Sequence, residues 1–123
     1  MRRAIRWAAL AAIHTCRSSR DLARALLVLH ALSVGNIVDV GAAHIHCAPE
    51  GVNGPVGITL FVGVGGLVGS GNLANGPLPD PDPGNGCGWV TLDDAIAAME
   101  AGNAYVNVHT VANPGGEVRG QLR

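Results

Sequence analysis

The 123-residue chain contains no lysine: all eight of its basic residues are arginine, and charged residues of both signs make up only 14% of it. A nucleic-acid surface needs Lys or Arg spread over the folded part of a protein. Here Arg2, Arg3, Arg6, Arg17, Arg20 and Arg24 crowd into residues 1–24 against one aspartate, a surplus of +5, whereas residues 25–123 carry two arginines against eight acids, a deficit of −6. That distribution excludes a basic nucleic-acid face and splits the chain into two parts of different character. Aromatic residues are also scarce, at 3% against 18 glycines, which suits short strands and turns better than long helices. No apolar run reaches the roughly 18 residues a membrane helix needs, so no membrane span is expected. The length leaves room for one domain with a modest core.

Residues 1–24 read as an arginine-rich segment outside that domain. Met1-Arg2-Arg3 followed by Ala4 to Ile13 has the outline of a secretory signal, but Arg6 interrupts the apolar run and His14-Thr15-Cys16-Arg17 is a poor cleavage site. The composition favours a helix, with Ser18 or Ser19 as an N-cap before Asp21-Leu22-Ala23-Arg24. From Ala25 the pattern changes. Residues 25–32 are almost continuously apolar and fit either a buried strand or the tail of a helix. Ser33-Val34-Gly35-Asn36 reads as a turn, Ile37 to Cys47 as a strand, Gly51 to Pro55 as another turn, and Val56 to Val62 as a strand. Gly63 to Gly88 is rich in Gly, Asn and Pro and is expected to be a long loop with at most one short strand, because proline cannot donate to a sheet ladder. Asp80 and Asp82 in it are read as solvated, since no bidentate Glu follows at the distance a calcium loop requires. Thr91 with Asp94 forms a capping box, and Leu92, Ala95, Ile96 and Met99 share one face, which predicts a helix ended by Gly102.

The last nineteen residues alternate apolar and polar positions around Asn113-Pro114-Gly115-Gly116, which predicts a hairpin. Side chains alternate with period two, so Val106, Val108 and Thr110 must share a face with Val118, Gly120 and Leu122. A three-residue loop, Pro114-Gly115-Gly116, satisfies that parity by pairing Asn113 with Glu117, Thr110 with Gly120 and Val108 with Leu122, with Gly116 at positive φ. The opposite face then carries Tyr105, Asn107, His109, Glu117, Arg119 and Gln121.

Four segments, A-H-I-H (43–46), G-V-N-G-P-V (51–56), A-G-N-A-Y-V-N-V-H-T (101–110) and N-P-G-G-E-V-R-G-Q-L (113–122), stand in an order and at a spacing that resemble the CHRD domain. This is the repeated module of the growth-factor antagonist chordin, and it also occurs in bacterial proteins. The resemblance runs from about Leu26 to Arg123. It implies an extracellular or cell-envelope β-domain, and it favours a strand over a helix for residues 25–32. Members usually begin with two or three strands that have no counterpart here, so residues 25–123 are expected to form a domain that is incomplete at its start. Self-association through an unpaired sheet edge would follow.

His44 and His46, two apart on a strand, leave the same face, while Ala43, Ile45 and Cys47 leave the other. If that strand lies beside the hairpin with polar faces matched, His44, His46 and His109 converge as a candidate Zn or Cu site. The competing reading is a hydrogen-bonded cluster with no cofactor, in which Asn107, Glu117, Arg119 and Gln121 orient the imidazoles. No activated nucleophile is present: the nearest hydroxyl, Thr110, faces the core, and no second acid accompanies Glu117. No enzymatic activity is therefore expected. Cysteine usage is odd-numbered, with Cys16, Cys47 and Cys87. A Cys47–Cys87 disulfide would suit an oxidising compartment; the other reading leaves Cys47 as a buried thiol.

Together these readings predict a mainly β fold, an antiparallel Greek-key-like sandwich or partly open barrel with one short helix before the C-terminal hairpin. The function expected first is a non-catalytic extracellular or cell-envelope binding module, with a three-histidine metal protein as the alternative.

Overall fold

Segments that alternate apolar and polar residues bury one face by pairing with neighbouring strands. The computed structural model describes residues 4–14, 25–63 and 68–122. Among them lie strands β1 (Ala4–His14), β2 (Ala25–Val38), β3 (Val40–His46), β4 (Val56–Val62) and β5 (Val68–Pro77), helix α1 (Leu92–Glu100), and strands β6 (Ala104–Thr110) and β7 (Val118–Leu122). They form two antiparallel sheets, ordered β1-β2-β5 and β4-β3-β6-β7, neither closed into a barrel. Leu32, Val34 and Ile37 of the first sheet meet Val40, Ala43, Ile45, Ile58, Val106, Val108 and Leu122 of the second in one buried cluster. The expected mainly β fold with one short helix before the last hairpin is therefore the one that forms.

Several local expectations are corrected. The segment Ala4 to Ile13 is a strand and not a helix: β1 pairs with β2 from Ala4 opposite Gly35 to His14 opposite Ala25. Its alanines and leucine are good helix formers, but an available strand partner outweighs a propensity of a few tenths of a kcal/mol per residue, about 0.7 at most for ordinary residues. The Ser18 or Ser19 cap, Asp21 to Arg24 and Cys16 lie outside the described residues. Ser33 to Asn36 is no turn. β2 runs through it, and the irregularity appears as a register shift against β5 between Val34 and Ile37, with Asn36 at φ 53°. The chain then passes from one sheet to the other at Asp39, φ 55°.

The Gly-rich half of the 63–88 region is a ten-residue strand, β5, hydrogen-bonded to β2. Its only proline is its last residue, Pro77, so the missing N–H interrupts nothing in the middle of the ladder. Residues 78–91 are irregular up to the helix, as expected. Trp89 of this stretch is buried on β4, where a Cβ on Gly57 would come within 2.2 Å of the indole. Asp82, read as solvated, instead accepts from the backbone N–H and the hydroxyl of Thr59. Cys47 and Cys87 form a disulfide. This joins the end of β3 to the irregular stretch.

Helix α1 starts as its sequence requires. The Thr91 hydroxyl accepts from the Asp94 N–H, and the Asp94 carboxylate accepts from the Thr91 N–H at 2.9 Å. It ends at Gly102, φ 73°, where the Asn103 N–H reaches back to the Ala98 carbonyl at 2.8 Å.

The final hairpin has the expected faces but a different register. Val108 pairs with Val118, Val106 with Gly120 and Ala104 with Leu122. This is a register shift of four residues, which preserves parity, so Val108 and Leu122 still share the core. The three-residue loop is replaced by a longer connection from 111 to 117, because β6 leaves β7 early and stays paired with β3 as far as Thr110. Asn113 to Gly116 closes inside it as a β-turn, with the Gly116 N–H bonded to the Asn113 carbonyl and Gly116 at φ 124°.

Candidate metal centre on the second sheet

β3 lies directly beside β6, with His46 opposite Tyr105, His44 opposite Asn107 and Ala42 opposite His109. On the face away from the core, His44 is therefore the diagonal neighbour of His109, and His46 of Asn107. Loop 47–55 folds over this face, which explains why His46 (7% exposed), Tyr105 (2%) and Asn107 (6%) are buried although they point away from the core.

The three histidines converge. One donor nitrogen from each of His44, His46 and His109 lies within 4.8 Å of the others. The ring centroids of His44 and His109 are 4.8 Å apart, and His46 Nε2 is 3.3 Å from His109 Nε2. Two backbone carbonyls decide where the protons are. His46 Nδ1 is 2.9 Å from the Gly54 oxygen and His109 Nδ1 is 2.8 Å from the Pro114 oxygen. A carbonyl only accepts, so each Nδ1 carries the hydrogen. A ring that carries only that hydrogen leaves its Nε2 as a bare lone pair, and the two Nε2 atoms face each other across 3.3 Å. Such a contact is repulsive unless a proton or a cation sits between them. The edge of a tetrahedron with metal–nitrogen bonds of about 2.0–2.1 Å is about 3.3–3.4 Å, so the spacing fits a shared metal ion.

His44 completes the set. Its Nδ1 is buried and has no hydrogen-bond partner among the described residues, an arrangement that is costly for a polar atom. Burial, then the neighbouring charges of His109 and His46, push its pKa down to about 4 against a weaker opposing pull from Asp82. His46 is lowered as well, chiefly by burial, with the Gly54 carbonyl opposing. Low proton affinity leaves His44 and His46 neutral near pH 7, which is the form that binds a metal.

The surroundings of His46 are tightly built. Its ring stacks on Tyr105 at 4.9 Å and an interplanar angle of 12°, and the Arg119 guanidinium lies 3.6 Å from the centroid of the same tyrosine ring. The Tyr105 hydroxyl accepts from the Gly54 N–H at 3.0 Å. Arg119 donates to the Asn53 side chain and the Val52 carbonyl, both at 3.1 Å. Gly54 itself presses on the chain it follows, since a Cβ there would lie 1.9 Å from the Cys47 carbonyl oxygen.

The polar residues expected to orient the imidazoles make hydrogen bonds elsewhere among the described residues. Glu117 accepts from the Thr110 hydroxyl and the Asn113 amide. Asn107 donates to the Gly115 carbonyl, and Gln121 ties Ala48 to Gly102 through their carbonyls. Carbonyls of Gly54 and Pro114 take the orienting role, because loops 47–55 and 111–117 fold back on the face that carries the histidines. Sequence reasoning passed over Gly54 and gave Tyr105 no role. The signal available was the G-V-N-G-P-V segment, where a second glycine between Asn and Pro marks a close backbone approach.

No protein of known, curated function and no solved structure is significantly similar to this chain. The family model described as the CHRD domain matches residues 12–122. With nearly the whole sequence covered, and with the A-H-I-H and Y-V-N-V-H segments paired as neighbouring strands, the chain belongs to the CHRD domain family.

Proposed function

We propose that this domain is a non-catalytic binding module whose ligand is a single transition-metal ion, Zn or Cu, held by His44, His46 and His109. The observation that carries the reading is the convergence of one ring nitrogen from each of the three histidines within 4.8 Å, with the Nε2 atoms of His46 and His109 only 3.3 Å apart. His46 and His109 each donate from the second ring nitrogen to a backbone carbonyl, the outer contact that metal-bound histidines usually make. An extracellular or cell-envelope setting is supported by the Cys47–Cys87 disulfide, since such bonds persist in oxidising compartments. No described helix is long and apolar enough to cross a membrane.

Metal analysis of the purified protein, followed by melting curves of metal-free and reloaded samples, tests the proposal. One equivalent of metal and a raised melting temperature are expected, because a ligand that binds only the folded state stabilises it by mass action. His109→Ala should remove the shift. A shift that persists in this variant would reject His109 as a ligand, and no shift in the unaltered protein would leave the polar face as a surface for a protein partner instead. Self-association through an outer strand such as β4 or β7 is a separate property of the fold, read by light scattering after size exclusion; a monodisperse monomer would count against it.

A further inference from the structure

We infer that Tyr105 is the positioning residue of the three-histidine site. Through its hydroxyl contact with Gly54 it holds His46 in the Nδ1–H form, so that the G-V-N-G-P-V segment is the outer half of the metal centre. The inference rests on the metal reading above and adds to it which residues set the affinity.

A neutral imidazole free in water prefers its proton on Nε2. Keeping it on Nδ1 requires an acceptor at a fixed place, and that acceptor is the Gly54 carbonyl at 2.9 Å. Gly54 lies in a loop, where such precision has to be imposed by other groups. Four contacts impose it. Tyr105 Oη accepts from the Gly54 N–H at 3.0 Å and makes a longer contact, 3.4 Å, with the Gly54 oxygen. Arg119 fixes the two preceding residues through Asn53 Oδ1 and the Val52 carbonyl. The following residue is tied down by the Cys47 N–H, which donates to the Pro55 carbonyl at 3.2 Å. Finally, the Gly54 backbone packs so closely on the Cys47 carbonyl that no side chain fits.

The order in space has one purpose. β3 and β7 flank β6 on either side, so His46 and Arg119 approach Tyr105 from opposite neighbours. The ring stacks on the ligand while its hydroxyl governs the ligand's hydrogen-bond acceptor. Each of the four segments singled out in the sequence then contributes to one centre: 43–46 supplies two ligands, 51–56 a carbonyl, 101–110 a ligand and the positioning ring, and 113–122 the Pro114 carbonyl and Arg119.

The test is Tyr105→Phe, which keeps the stacked ring and removes only the hydroxyl. Two quantities are measured: the ring-nitrogen NMR pattern of His46 in metal-free protein, and the Zn(II) dissociation constant by chelator competition. In the unaltered protein His46 should show the Nδ1–H pattern. In the variant the pattern should move toward Nε2–H, and Zn(II) binding should weaken about 10- to 100-fold, the usual effect of losing an outer-shell partner. Thr91→Ala, which removes the cap of helix α1, controls for lost stability and should leave the dissociation constant unchanged. If Tyr105→Phe does not fold, Arg119→Lys, which loses the two-pronged contact with Asn53 and Val52, should weaken binding in the same direction. An unchanged His46 pattern with unchanged affinity, or an equal loss in Thr91→Ala, overturns the inference. Failure of the unaltered protein to bind Zn(II) would instead defeat the metal reading, and the His46 pattern alone would then decide whether Tyr105 positions the ring.

Discussion

Asp82 grips Thr59 at two points: Oδ1 accepts from the backbone N–H at 3.0 Å and Oδ2 from the hydroxyl at 2.6 Å. Thr59 stands opposite His44 in the β3–β4 ladder. One aspartate thus fastens the proline-rich stretch to the strand that borders the histidines. Hydrogen bonds to a charged group contribute about 1.5–3 kcal/mol each, so losing both in Asp82→Ala, at a half-buried site, is expected to cost about 3 kcal/mol in urea denaturation, the lower end of that sum. Asp82→Asn, which keeps one acceptor, should lose less. Equal losses for the two variants would show that the carboxylate charge is what Thr59 requires.

The disulfide is expected to contribute more. It closes a span of 40 residues between Cys47 and Cys87. By the loop-entropy relation such a closure is worth about 3–4 kcal/mol. Denaturation with and without reductant, or of the double Ser variant, should show a loss of that order. Since Cys47 directly follows His46, metal affinity should fall in the same samples.

Metal-free protein should lose stability as the pH falls from about 6.5 to 4. The unfolded chain protonates His44 near 6.5, but the folded chain holds it neutral down to about 4, mainly by burial. The unfolded state therefore binds more protons throughout that window, and stability rises with pH across it. His46, shifted in the same direction, adds to the slope. Melting temperatures of chelator-treated protein at pH 7.5, 5.5 and 4.5 measure it, and His44→Gln should flatten the curve. A slope unaltered in that variant would assign the titration to other groups.

Gly57→Ala should destabilise by about 1–3 kcal/mol, the typical penalty for overpacking. The new methyl would lie 2.2 Å from the Trp89 ring and 3.1 Å from Cys87 Sγ, and both belong to the stretch held against β4. Tryptophan fluorescence followed through thermal unfolding reads both the stability and the displacement of the indole.

Alternation carried most of what was legible in the sequence. His44 and His46 two apart, and Val106, Val108 and Leu122 at even spacing, fixed which side chains share a face, and those assignments hold in the structure. The capping box of Thr91 and Asp94 was equally readable, because it is local. Register was not. A shift of any even number of residues, here four, leaves every face unchanged, so no argument from parity could separate Val108 opposite Leu122 from Val108 opposite Val118. β1, which reads as a helix, and β5, expected as at most one short strand, are harder to read for a related reason. Alanine and glycine are poor strand formers in isolation, and both segments owe their conformation to β2, which lies between them. The Gly54 and Pro114 carbonyls were invisible because every residue has a carbonyl, and only the path of the chain decides which of them meets a histidine.

The passage through Asp39 makes one ribbon, from Ala25 to His46, a member of both sheets. Neither layer can peel away without stripping the other of its central or near-central strand, so the domain has no natural seam along which to open in halves. Amide protons of β2 and β3 should exchange with solvent through a common, whole-molecule event. A disturbance anywhere along the ribbon would then be felt at the imidazoles seated at its far end.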